Sequence, residues 1–324
     1  MKYRRLGTTG VRLSTLGLGT LAFGTDTDET EARRIVDRCL DVGINHFDCA
    51  DVYSGGRAEE ILGRCLASVR DEIVLATKVG FPTGSGVNAR GASAYHLERA
   101  VRASLDRLAT DRIDLLYLHR FDNRTDLSDT LRALDRLVDG GSVLYLGVSN
   151  FAAWQVATAL GLGTLHDWAP IVAMQPMYNL VKRQAEVEIL PLASAADLAV
   201  IPYGPLAGGL LTGKYGSQPG QVEGRLTNDP MYQARYRSIQ DYEAAARLSA
   251  LATEAGVHPA TLAVAWVAGQ SAVTAPLIGG RSLEQLEPSL AAADFVMDPD
   301  LRASISALTP APPPATDRSE DQVS

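Results

Sequence analysis

Short apolar runs alternate along this chain with longer stretches in which apolar residues recur every three or four positions. The first segment, residues 3–13, reads as a small hairpin turning at Gly7-Thr-Thr-Gly10. Eight apolar runs of strand length follow, at Leu16–Thr20, Ile44–Asp48, Glu72–Lys78, Ile113–His119, Val143–Val148, Ile171–Gln175, Ala199–Tyr203 and Leu277–Ile278. Between them the period lengthens. Asp28 can cap a helix through Val42 whose apolar face is Ala32, Ile35, Val36, Cys39 and Leu40, with Gly43 as its stop. Further helices are predicted over Glu59–Val69, His96–Leu108, Leu127–Val138, Phe151–Leu162, Gln184–Ala195, 241–255, 259–269, Leu283–Ala292 and Pro299–Leu308. Residues 204–240 form a longer insertion rich in Gly and polar residues.

The eight runs are almost wholly apolar, as strands buried on both faces are, so a parallel sheet is expected. Eight β-α units favour a (β/α)8 TIM barrel over an open doubly wound sheet, although the count alone fits both. With the N-terminal β-hairpin and the extra helices this makes a single α/β domain over 1–308. The end, 309–324, is Pro-rich and polar and is expected to be disordered.

Composition narrows the function. The chain has 324 residues, 46% hydrophobic and 21% charged, which is ordinary globular composition. A net charge of −8 argues against a nucleic-acid surface, which needs a basic face. The cysteines Cys39, Cys49 and Cys65 have no metal-ligand spacing and read as reduced thiols of a cytoplasmic protein. No run has the length of a signal sequence or membrane span.

The strand ends carry the candidate chemistry. The second run ends in Asp48, with Tyr53 five residues later; the third ends in Lys78, the fourth in His119, the fifth in Ser149-Asn150 and the sixth in Gln175. The seventh ends in Tyr203, and the eighth in Gly279-Gly280-Arg281. In a barrel all these ends open on one face, and that face carries the active site. Singly, each residue has a plainer reading: a turn-forming Asp, a solvated Lys, a half-packed Tyr, a structural His. Joint placement at adjacent strands favours function. His46 falls out of phase with the core of its strand and takes the plain reading, with His96, His166 and His258.

A phenol has an ordinary pKa of about 10, and a neighbouring ammonium lowers it. A shift of two or three units costs roughly 3–4 kcal/mol. Lys78 could supply that, with Asp48 holding Lys78 in place and His119 orienting a substrate oxygen. Such an assembly is a tuned general acid. No Ser or Cys is paired with a base and no metal motif is present, so protonation of a carbonyl oxygen with hydride from a cofactor is the chemistry it suits. Gly17-Leu-Gly19 is too short for a dinucleotide fingerprint of the Gly-x-Gly-x-x-Gly kind. The cofactor is instead expected across the barrel mouth. Gly204–Lys214 has glycines that admit phosphates, and Gly279-Gly-Arg-Ser282 precedes a helix N-terminus. The plain readings are a flexible loop and a helix cap.

With these residues in view, the chain resembles the aldo-keto reductases over about Tyr3 to Leu290. Asp48-Cys-Ala-Asp-Val-Tyr53 matches that family's Asp-Thr-Ala-x-x-Tyr, with Cys49 for Thr. Lys78 and His119 match the other two members of its catalytic tetrad. The resemblance implies NADPH. It places Ser149, Asn150 and Gln175 at the nicotinamide carboxamide and Tyr178 stacked on the nicotinamide ring. Tyr203, Pro205, Leu206, Gly208, Leu210 and Lys214 are further cofactor contacts, the loop lying over the pyrophosphate. Gly279, Gly280, Arg281 and Gln285 belong at the adenosine 2′-phosphate. Ser54 and Ala58 stand where a Gly and a Ser are common, and Pro288-Ser289 where an acidic residue and Asn often meet the adenine. The implied substrate is a small-molecule aldehyde or ketone, sugar-like or aromatic. The rivals are a non-catalytic NADPH-binding regulatory subunit of a channel and a reductase of conjugated C=C bonds, which often has Glu in place of the His. A barrel hydrolase is disfavoured.

Overall fold

The computed structural model describes residues 1–220, 222–316 and 318. Among these residues the strands form two sheets. One is the antiparallel pair β1 (Tyr3–Arg5) and β2 (Arg12–Ser14). The other is an eight-stranded parallel sheet: β3 (Gly17–Gly19), β4 (His46–Asp48), β5 (Val74–Val79), β6 (Ile113–Leu118), β7 (Val143–Ser149), β8 (Ile171–Gln175), β9 (Ala199–Val200) and β10 (Leu277–Ile278). Neighbours follow chain order from β3 to β9, and β10 lies beside β3. The two edges meet where the N–H groups of Thr274 and Leu277 donate to the carbonyls of Val200 and Pro202 at 2.8 and 2.9 Å. The architecture is the (β/α)8 barrel with an N-terminal hairpin.

The outer layer begins with α1 (Glu29–Asp41), α2 (Arg57–Leu66), α3 (Ala94–Leu108), α4 (Leu127–Asp139), α5 (Ala153–His166) and α6 (Ile189–Ala195). Then come α7 (Arg225–Asn228), α8 (Pro230–Arg235), α9 (Ile239–Glu254), α10 (Pro259–Ala268), α11 (Leu283–Leu290) and α12 (Pro299–Ser306). Asp28 caps α1 by accepting from the N–H of Glu31, and Gly43 follows with φ +85°. The helix expected over 184–195 is split into a 3-10 turn, Gln184–Glu186, and α6. Pro191 has no N–H, and it falls in the first turn of α6, where the backbone N–H groups have no intrahelical partner to lose. The 204–240 insertion contains a 3-10 turn over Ala207–Thr212 together with α7 and α8. Residues 310–314 of the expected tail carry no helix or strand, and 317 and 319–324 lie outside the described residues.

Strand parity decides which side chains face inward. Val74 and Ala76 of β5, Leu115 and Tyr117 of β6, Ala173 of β8, Ala199 of β9 and Leu277 of β10 pack on one another inside the ring. Leu6 and Leu13 of the hairpin belong to the same cluster and floor the barrel. The alternate residues, such as Phe47, Leu75, Leu116 and Leu118, pack outward against helices. Inward parity carries up each strand to Asp48, Lys78, His119, Ser149, Gln175, Tyr203 and Gly279. His46 shares parity with Asp48, which corrects its reading as out of phase with the core. It is fully buried in the barrel interior, and a Cβ on Gly17 would lie 2.7 Å from its ring. Gly147 likewise makes room for the Tyr117 ring, which a Cβ there would meet at 2.6 Å.

Candidate active site

The top of the barrel interior holds a continuous polar network. Lys78 Nζ donates to Asp48 Oδ1, to the Cys49 carbonyl at 2.7 Å and to the Tyr53 hydroxyl at 3.4 Å. Lys78 and Asp48 are almost completely buried, so neither charge is tolerable without the other. The second Asp48 oxygen accepts from Gln175 Nε2 at 2.8 Å. The Gln175 carbonyl accepts from Ser149 Oγ at 2.9 Å, and Ser149 Oγ accepts from Asn150 Nδ2 at 3.0 Å. Asn150 Nδ2 also reaches the His119 carbonyl at 3.0 Å, and Asn150 Oδ1 accepts from Tyr203 at 2.8 Å. The His119 ring stands edge-on to Tyr53, centroids 6.1 Å apart, and edge-on to Phe81 at 4.5 Å.

The electrostatics differ in one respect from the sequence expectation. Burial pushes the Tyr53 phenol up to about 12, while the Lys78 ammonium pulls against that rise. The ammonium therefore limits the increase without carrying the phenol below its ordinary value. Burial disfavours the charged form of Lys78, but the carboxylate of Asp48 and the neighbouring Tyr53 outweigh it and raise its pKa. His119 is lowered to about 2 by burial, with Lys78 and Arg120 adding to the effect, so its ring is neutral at any working pH. The arrangement can hold a protonated phenol beside a fixed ammonium and a neutral imidazole.

Tyr53 reaches this place through a strained turn. Ser54, where the resemblance leads one to expect Gly, has φ +52° and ψ +31°. That left-handed conformation costs an L-residue roughly 1–2 kcal/mol. The Ser54 hydroxyl donates to the Phe23 carbonyl at 2.5 Å, which offsets about 1 kcal/mol. Beneath the turn lies a cluster that sequence reasoning missed. Asp51 is buried with neither carboxylate oxygen partnered, beside a buried Glu59 that Arg107 Nε holds at 2.7 Å. Burial, with Glu59 nearby, raises Asp51 to about 7. Arg107 comes from α3, so no local pattern could have announced the cluster.

The remaining candidates divide. Tyr203 stands at the mouth. Tyr178 does not: it is fully buried in the outer layer, 5.4 Å from the Trp266 ring, and its hydroxyl donates to Glu186 at 2.7 Å. This corrects the expectation that Tyr178 stacks on a nicotinamide. Pro176 ends the strand, parity is lost after it, and the chain turns outward. In the 204–214 loop Pro205 is buried, Leu206 half-buried, and Leu210 buried in the core, so Leu210 can offer only its backbone outward. Gly208 has φ +69°, and a Cβ on it would lie 2.6 Å from the Tyr232 ring, so packing alone demands glycine there. Lys214 is exposed, with its ammonium 4.8 Å from the Tyr215 ring centre. Gly279 packs on the Gly19 carbonyl, and Gly280 lies over the first turn of α11. The N–H of Arg281 donates to Gln285 Oε1 at 3.3 Å, and its guanidinium pairs with Asp26 at 3.0 Å.

This donor set fits a dinucleotide. Amide and hydroxyl groups stand beside Tyr203, Lys214 is exposed on the 204–214 loop, and Arg281 lies just before the N-terminus of α11. At Gly204, φ +68°, nothing lies within 4 Å of where a Cβ would be.

The model of the Aldo/keto reductase family matches residues 15–309. The chain belongs to the aldo/keto reductase family. Among similar proteins is the "Uncharacterized oxidoreductase YrpG" of Bacillus subtilis, 37% identical over 323 residues, which cover 96% of this chain and 97% of that one. The "Probable voltage-gated potassium channel subunit beta" of Arabidopsis thaliana is 36% identical, covering 91% and 92%. The L-glyceraldehyde 3-phosphate reductase of Escherichia coli O157:H7 is 33% identical, covering 90% and 87%. This aldo/keto reductase has cysteines Cys39, Cys49 and Cys65 that are free and buried. Among its described residues no helix is long and apolar enough to cross a membrane.

Proposed function

We propose that this oxidoreductase reduces an aldehyde or ketone to an alcohol with NADPH, the proton coming from Tyr53. The observation that carries the reading is the Tyr53 hydroxyl held 3.4 Å from Lys78 Nζ, the ammonium being itself buried against Asp48. NADPH, when bound, supplies the hydride to the carbonyl carbon. Tyr53 gives its proton to the carbonyl oxygen as that oxygen gains charge, and the adjacent ammonium stabilises the phenolate left behind. Neutral His119 offers a ring nitrogen to the same oxygen and fixes its direction. Asp48 positions Lys78, and Gln175 positions Asp48. Ser149, Asn150, Gln175 and Tyr203 are suited to hold the nicotinamide end, the 204–214 loop the pyrophosphate, and Arg281 with Gln285 the 2′-phosphate.

The test is NADPH oxidation by the purified protein with a panel of sugar-like and aromatic aldehydes and ketones. Turnover is expected with some members of the panel. Binding of NADPH without turnover on any of them would contradict the catalytic reading. It would favour the second one, a cofactor-binding regulatory subunit, which the similarity to a protein named as a channel β-subunit motivates. Reduction of conjugated C=C bonds is disfavoured by His119 standing where such enzymes often carry Glu.

A further inference from the structure

The first and last loops of the mouth are clasped together. Thr27, buried in the loop after β3, donates its hydroxyl to the Arg281 carbonyl at 2.9 Å. Its neighbour Asp26 pairs with the Arg281 guanidinium at 3.0 Å, the two side chains being 46% and 40% exposed. Glu31 of α1 accepts from the N–H of Leu283, the first residue of α11, at 2.6 Å. Carboxylates thus occupy two of the donors that an anion at this helix N-terminus needs. Glu31 is already neutralised by Arg34, one turn on at 2.5 Å. Asp26 is set against Arg281 itself.

We propose that Asp26 is a cofactor-selecting residue, whose carboxylate competes with the NADPH 2′-phosphate for Arg281 and so limits the preference of this chain for NADPH over NADH. The inference rests on the proposed use of a nicotinamide dinucleotide. The Thr27 bond runs to the backbone of Arg281, so Asp26 stays close when the guanidinium swings toward a ligand. A 2′-phosphate must either displace Asp26 or share the arginine with it, and like charges at that distance repel. The pair is half exposed and therefore weak, so it discounts phosphate binding without barring it. A ligand with a 2′-hydroxyl brings no charge to the site, and a carboxylate is an acceptor for that hydroxyl. Asp26 thus acts on the difference between the two cofactors and leaves their shared parts untouched.

The test is fluorescence titration of the full chain with NADPH and with NADH, in wild type, Asp26→Asn, Arg281→Gln and the double variant. Asp26→Asn should tighten NADPH about three- to fivefold, the scale of one exposed charge pair, and move NADH by less than about twofold. The NADPH gain should vanish in the Arg281→Gln background. Equal changes for both cofactors, or weaker NADPH binding in Asp26→Asn, would mean that Asp26 only positions the loop, and would overturn the proposal. A wild type that binds neither dinucleotide overturns the underlying reading as well. A wild type that binds both, with a ratio unmoved by Asp26→Asn, overturns this inference alone.

Discussion

The two ends of the barrel mouth are built on opposite principles. At the axis, Asp48, Lys78, Gln175 and Ser149 are all buried and bonded to one another, and Tyr53 and His119 close the group. At the rim, Arg281 is two-fifths exposed and rests on a carboxylate that water can screen. Burial makes charges expensive to misplace, so a few residues fix one geometry with one protonation state. Exposure makes interactions cheap to exchange, so the rim can grade ligands without holding any of them absolutely. On the proposed reading, chemistry belongs at the first place and selection at the second.

The contrast breaks most sharply at Tyr53. Replacing it with Phe keeps the ring and its packing but removes the acid. Carbonyl reduction should fall on the order of a thousandfold, the scale of a general acid, with NADPH binding retained. Parallel rate and binding measurements check this, and near-normal turnover would remove Tyr53 from the mechanism.

Asp51 sharpens the comparison as a buried group that the proposed chemistry does not use. Its native pKa is raised to about 7, whereas an unfolded Asp titrates near 3.9. The native state therefore holds more protons than the unfolded state between those values, and stability falls as pH rises from about 4 to 7. Asp51→Asn should abolish that loss and stabilise the fold at pH 8 by on the order of 4 kcal/mol. Denaturant melts at pH 5 and pH 8 measure it. Equal stabilities of wild type and variant at both values would refute it.

The smallest effect is expected at the exposed end. Arg281→Gln should weaken NADPH binding about tenfold, the low end for one charge-assisted pair, because Asp26 already takes part of the interaction. NADH binding should barely change. The same loss for both cofactors would place Arg281 outside phosphate recognition.

Much of the buried end was legible in the sequence, because a barrel turns position along a strand into position on one face. Asp48, Lys78, His119, Ser149 and Gln175 each close an apolar run, and strand parity brings them together. The stacking role that the resemblance implies for Tyr178 fails because Pro176 ends the strand and the chain then turns outward, burying the ring beside Trp266. The out-of-phase reading of His46 fails because it lies two residues from Asp48 on the same face, where a strict period of two places it inside. Asp51 and Asp26 were invisible for another reason. Their settings depend on Arg107 and Arg281, which arrive from distant helices and loops, and no local pattern encodes such meetings. The downward shift expected for Tyr53 also failed to appear, because sequence names the ammonium but not the depth of burial that opposes it.

The central claim is that Lys78 holds down the pKa of a buried phenol. The measurement that reaches it most directly is the pH profile of alcohol oxidation, the reverse reaction, which needs Tyr53 as phenolate. In wild type the rate should climb toward alkaline pH, since burial raises the phenol above its ordinary value. In Lys78→Met the climb should move upward by about one pH unit or more, each unit being worth about 1.4 kcal/mol. Asp48→Asn should show a smaller displacement, because the ammonium remains but is less firmly held. An unchanged profile in Lys78→Met would contradict the account, leaving Lys78 as a structural partner of Asp48 and nothing more.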